Sequence, residues 1–138
     1  MRAGLVQREP ERLAKWYADG LYEQIQKRRE DAERFLLHDG PPFANGDVHI
    51  GTALNKILKD FILKYQSLRG KQVPYVPGWD CHGLPIEFKV TQKMRKEGNT
   101  DATPAVIRKA CEEYALAFID KQREQFKRLG VLGEWDKP

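Results

Sequence analysis

Little in this 138-residue sequence declares a class outright, and each scarcity excludes something. There are only two cysteines, Cys81 and Cys111, and they form neither a CxxC pair nor a disulfide-like framework. No run approaches the roughly 18 consecutive apolar residues that a membrane span needs. The opening stretch MRAGLVQREP lacks the apolar core of a secretory signal, so the expectation is a cytoplasmic, soluble protein with no membrane partner. Internal repeats and low-complexity tracts are missing. So is the Gly-Lys-Ser/Thr of a phosphate-binding P-loop, and so are the three spaced glycines of the dinucleotide fingerprint. Charge is not one-sided either. The 24 Lys and Arg against 20 Asp and Glu leave +4, which permits an anionic partner such as a nucleotide or RNA without demanding one.

What is present suits one modest globular domain. Apolar residues make up 41% and charged residues 32%, enough to bury a core and too many apolar groups for wholesale disorder. Glu9-Pro10-Glu11 reads as a helix start, followed by an apolar face of Leu13, Trp16, Tyr17, Leu21 and Ile25 that Gly20 interrupts. Phe35-Leu36-Leu37 suits a short buried strand. Ile50, Ala53, Leu54, Ile57, Leu58, Phe61, Ile62, Tyr65 and Leu68 then keep helical spacing, with Lys56, Lys59, Asp60 and Lys64 on the other side and Gly70 as a stop. Gln72-Val73-Pro74-Tyr75-Val76 reads as the returning strand, although Pro74 removes a ladder donor. Strand, helix, strand predicts an α/β fold with a right-handed parallel crossover. Two more helices are expected, one from Pro85 to near Gly98 and one from Thr103-Pro104 to Gly130.

The chemistry concentrates in two loops. In HDGPPFANGDVHIGTALNK, residues 38–56, Pro41 and Pro42 stiffen the chain while Gly40 and Gly46 let backbone or ligand approach closely. A merely stiff turn is one reading; the other is a preorganised wall over the carboxyl edge of the sheet, where open α/β sheets bind ligands. His49 and Thr52 stand three apart at the helix start, with Gly51 between them. Unpaired backbone N–H groups there favour an anion, and imidazole and hydroxyl add directed donors. The second loop, VPGWDCHGLPIE, sets Asp80 between Trp79 and Cys81-His82-Gly83. Asp80 suits either a substrate ammonium or an Asx turn. Cys81 and His82 are adjacent, which suits no metal site, so no metal ligand is assigned.

The stretches RFLLHDGPPFANGDVHIGTALNKILKDFILKY, YVPGWDCHGLPIE and RLGVLGEWDKP together resemble the catalytic domain of the isoleucine–tRNA ligases, a branch of the class I aminoacyl-tRNA synthetases. Methionine enzymes share an ANG-type loop but pair it with Thr-Asp-Glu-His-Gly. Valine enzymes carry Asn-Val-Thr-Gly and leucine enzymes Tyr-Pro-Ser-Gly; Trp-Asp-Cys-His-Gly-Leu-Pro points to isoleucine. The resemblance implies the first half of a Rossmann-like parallel-sheet nucleotide-binding domain over residues 34–138, preceded by an N-terminal helical segment over 1–33. It implies isoleucine, ATP with Mg²⁺ and tRNA(Ile) as substrates. His49, Gly51 and Thr52 match the His-Ile-Gly-His signature, with Thr52 in place of its second histidine, and His49 and Thr52 take the catalytic role. Asn45 and Gly46 join His49, Gly51 and Thr52 around ATP, while Gly40, Pro41 and Asp80 hold isoleucine. The editing insertion, the second catalytic half, the Lys-Met-Ser-Lys-Ser loop and the anticodon-binding region are not in the sequence. The isolated chain is therefore expected to be inactive; the alternative is a non-catalytic nucleotide- or RNA-binding relic or a truncated remnant. Oligomeric state is not legible.

Overall fold

The computed structural model describes residues 4–99 and 101–138. Among the described residues there are five helices: α1 Leu5–Ala18, α2 Leu21–Arg28, α3 Ile50–Leu68, α4 Leu84–Lys96 and α5 Pro104–Arg128. The chain divides into two compact units. One comprises the residues up to His38, Ile50–Pro77 and Phe126–Pro138; the other comprises Asp39–His49 and Gly78–Gln125.

In the first unit α1 begins earlier than the Glu9-Pro10-Glu11 start read from sequence, at Leu5 behind Gly4, and holds Pro10 inside it. A proline there forfeits one backbone bond, to the carbonyl four residues back. Gly20, at φ +60°, separates α1 from α2 by a conformation costly for any residue with a Cβ. Helix α2 then clamps the extended segment after Gln72. Gln26 Nε2 donates to Val73 O at 2.9 Å, and Tyr75 N–H donates to the Tyr22 hydroxyl at 2.9 Å. Leu63, Val73, Tyr75, Phe126, Val131 and Trp135 form the buried apolar set of this unit.

Helix α3 reverses the usual amphipathic order. Lys56 is 2% exposed and Asp60 is buried, whereas Ile50, Leu54, Leu58, Phe61, Ile62, Tyr65 and Leu68 face solvent, Phe61 at 63% exposure. Lys56 buries its four-carbon stem and donates from Nζ to the Tyr75 hydroxyl at 2.9 Å. Its ammonium lies 5.6 Å and 5.4 Å from the Tyr75 and Phe126 ring centres, within cation–π range. Asp60 pairs with Lys64 and accepts from Leu132 N–H at 3.4 Å.

The second unit packs Ala44, Ile86, Val90 and Ala115 at its centre, with Trp79, Met94, Tyr114, Phe118 and Ile119 around them. Helix α4 begins behind Gly83 with Pro85 in its first turn, and α5 begins at Pro104, both as their sequence signals predict.

The expected parallel sheet is not there: no strand forms among the described residues, only isolated parallel bridges, Arg34 with Gln72 and Phe43 with Asp80. The register explains why. In the first unit Gln72 N–H donates to Glu33 O and Phe35 N–H to Gln72 O. The next donor in a parallel ladder lies two residues on. That residue is Pro74, which has no N–H. In the second unit Asp80 N–H donates to Pro42 O and Ala44 N–H to Asp80 O. Extension backwards would need an N–H from Pro42. Extension forwards would need the His82 N–H, which donates instead to Asp80 Oδ1 at 3.3 Å. Each ladder is stopped after one rung.

Candidate active site

Within the second unit the first loop is held by its carbonyls. Gln122, a buried residue of α5, donates from Nε2 to Phe43 O at 3.0 Å and to Gly46 O at 2.7 Å. Its Oε1 accepts from the Trp79 indole N–H at 2.9 Å, so one amide ties both loops together. One and two turns away on the same helix, Gln125 Oε1 accepts from Val48 N–H at 2.9 Å, and the Tyr114 hydroxyl donates to Asn45 O at 3.1 Å. Lys121 pairs with Asp47 at 2.8 Å, and Gln125 Nε2 donates to the same carboxylate at 2.7 Å. The Lys121 hydrogen bond, followed by that of Gln125, holds the Asp47 carboxyl below its ordinary value.

Sequence reasoning gave α5 only an apolar face. The signal was present: in the rhythm Ala115, Phe118, Ile119, Phe126, residue 122 is where the next apolar side chain belongs, and glutamine stands there. A polar group buried in an apolar rhythm needs partners, and here they are loop carbonyls.

The backbone exchange between Asp80 and the run from Pro42 to Ala44 brings the two loops side by side. Asp80 therefore stands near the start of the ANG turn, with Pro41 and Asn45 flanking the paired run. Its carboxylate caps His82 N–H, so the Asx turn is realised, and Oδ1 also lies 3.3 Å from His82 Nδ1. Gly40 and Gly46 have open space where a Cβ would project and carry no left-handed φ, so neither is demanded by the fold. Pro41 is exposed, and Asn45 and Gly46 are half-buried. His49 is exposed immediately before α3, and Gly51 and Thr52 lie in the helix's first turn.

The thiols are not poised for nucleophilic work. Partial burial, and then the Asp80 carboxylate, push Cys81 up; burial, and then Glu87, do the same for Cys111. Among the described residues no group of three or more His, Cys, Asp or Glu is placed to hold a metal ion. No helix of the described residues is long and apolar enough to cross a membrane.

Within the second unit, then, a loop fixed by its carbonyls runs beside the Asp80 peptide. The family model for class I tRNA synthetases (I, L, M and V) matches residues 11–138, and the chain belongs to that family. Among its curated relatives are isoleucine–tRNA ligases of Zymomonas mobilis, 58% identical, Alkalilimnicola ehrlichii, 59% identical, and Kosmotoga olearia, 55% identical. Each alignment covers all of this chain and 15% of the relative, so the chain spans about one seventh of the length of those proteins.

Proposed function

We propose that this chain supplies the ATP- and isoleucine-binding wall of an isoleucine–tRNA ligase, and that the whole protein forms isoleucyl-adenylate and passes the acyl group to tRNA(Ile). One observation carries the reading: the Asp80 peptide is hydrogen-bonded between Pro42 and Ala44, beside the ANG turn, which supports a substrate-binding role for its carboxylate. The 55–59% identity to isoleucine–tRNA ligases supports isoleucine over the other class I side chains.

In this reading an isoleucine carboxylate oxygen attacks the α-phosphorus of Mg-ATP, an O–P bond forms, and the bond to the pyrophosphate leaving group breaks with its electrons on the departing oxygen. No side chain acts as nucleophile. His49, the backbone at Gly51 and the Thr52 hydroxyl stabilise charge on the phosphates, Thr52 as a neutral donor where the family signature has histidine. Asn45 and Gly46 bound the nucleotide. Gly40 and Pro41 bound the amino acid, and Asp80 receives its ammonium through Oδ2. Positioning supplies the acceleration, which gives the Gln122 anchoring of the loop a catalytic purpose. A cytoplasmic location goes with this activity.

The test is isoleucine-dependent ATP–pyrophosphate exchange by the whole protein. Exchange driven equally well by valine or methionine would overturn the assignment. His49→Ala is expected to slow adenylate formation while acyl transfer from preformed adenylate persists. The 138-residue chain alone is expected to give no measurable exchange.

A further inference from the structure

A second cleft, remote in sequence from both loops, opens in the first unit with a volume of about 340 Å³. Three cations from three separate helices line it: Arg12 of α1, Lys64 of α3 and Arg128 at the end of α5. Glu9 is the one carboxylate in the lining, and Asp60, paired with Lys64, offsets a second cation, which leaves an excess of one positive charge. Arg128 pairs with Glu9 at 3.1 Å, and Lys64 pairs with Asp60 and donates to Gly130 O at 2.8 Å. Arg12 is exposed and has no carboxylate or hydrogen-bond partner among the described residues. Half-buried Trp16 stands one turn from Arg12, with Leu13 and Leu129 beside it.

We propose that this cleft seats one nucleotide of a single RNA strand, its base on the Trp16 ring and its flanking phosphates on Arg12 and Arg128. Every base has a face that stacks on an aromatic ring, and a guanidinium fork matches phosphate geometry. The volume suits one nucleotide and lies in the range of small-ligand sites. Geometry selects the strand over a free nucleoside triphosphate, because guanidinium groups on two separate helices suit phosphates on either side of one base rather than one clustered polyphosphate. The choice of RNA among single strands rests on the tRNA partner of the proposed function; the seat itself rests on the cleft alone.

The test uses the 138-residue chain and a fluorescently labelled ten-nucleotide oligouridylate, read by anisotropy. Binding is expected at 50 mM salt and is expected to weaken about sevenfold by 200 mM, the slope for about two phosphates on a single strand. Arg12→Glu, an exposed change that leaves the fold intact by circular dichroism, is expected to weaken binding at least tenfold and flatten the salt slope. Trp16→Ala is expected to cost about fivefold or more, with Trp16→Phe restoring most of it. Absence of binding at 50 mM salt, or binding indifferent to Arg12→Glu, overturns the proposal. Equal competition by free AMP, nucleotide for nucleotide, overturns the strand in favour of a mononucleotide. None of these readouts involves isoleucine or adenylate, so a failure here leaves the exchange assay untouched.

Discussion

Replacing Gln122 by leucine removes three hydrogen bonds while nearly preserving side-chain volume. The losses are the Trp79 indole N–H to Oε1, at 2.9 Å, and the two bonds from Nε2 to Phe43 O and Gly46 O, at 3.0 and 2.7 Å. Each bond contributes about 0.5–1.5 kcal/mol net, and a donor or acceptor left buried without a partner costs about 1–3 kcal/mol. Some carbonyl surface gains water, so the expected loss is about 2–4 kcal/mol. With a urea dependence of about 1–3 kcal/mol per molar, the unfolding midpoint of the second unit should fall by about 1–2 M. Trp79 emission follows this unit, and amide exchange at Ala44 and Val48 should accelerate before that of α3. Gln122→Glu sharpens the test. Its carboxylate would face two carbonyl oxygens, so its folded pKa should lie above the unfolded value of about 4.3. The sign follows: the penalty is smallest below that unfolded value, where the protonated acid still donates, and grows as pH rises through the raised folded pKa. A leucine variant within about 0.5 kcal/mol of the parent, or a glutamate variant with no pH-dependent deficit, would refute the role given to Gln122.

Four further outcomes are expected. The Asp47 carboxyl, held low by Lys121 and then Gln125, should titrate below its ordinary 3.8 by carboxyl NMR and move up in Lys121→Ala. The loop ordering it supports is present above the unfolded pKa and lost as pH falls through the lowered folded one. Gly133→Ala should destabilise the first unit by about 1–3 kcal/mol in a thermal melt, because its Cβ would sit 2.8 Å from Tyr75 Cδ1 and 3.1 Å from Tyr75 O. Gly46→Ala, which meets open space, should leave the melting temperature unchanged yet impair exchange by the whole protein; unimpaired exchange would remove Gly46 from the ATP site. Leu58→Lys with Phe61→Lys should cut concentration-dependent self-association of the isolated chain in sedimentation velocity without lowering its stability, since both positions are exposed.

The helices were legible because their signals are local: a proline or glycine at an end and a repeat of three or four residues between. The boundaries of α3, α4 and α5 follow from such signals, as does the break at Gly20. Strand pairing was not legible to the same depth. An apolar run such as Phe35-Leu36-Leu37 announces extended chain, but a ladder needs a donor on the opposite segment at every second residue, and Pro74 or Pro42 stands at the needed position. The site divides the same way. The stiffness of the ANG loop and the helix start at His49 are written in neighbouring residues. The anchoring by Gln122 joins residues 79 and 76 positions apart, and only its intrusion into an apolar rhythm hinted at it.

Helix α3 shows most clearly where such reasoning stops. Periodicity establishes that a helix has two unlike faces, yet it does not establish which one turns inward. Burial of the apolar stripe is the default because burying a lone charge is costly, but Lys56 escapes that cost. Its stem contributes apolar area, and its ammonium meets the Tyr75 hydroxyl and two aromatic faces. Asp60 escapes it too, through Lys64 and the Leu132 amide. With both charges satisfied inside the unit, the stripe from Ile50 to Leu68 is left outward. A contiguous apolar face of this length on a helix that also begins beside His49 couples two demands on one element, since whatever covers the stripe also sets the helix whose first turn is proposed to meet the phosphates.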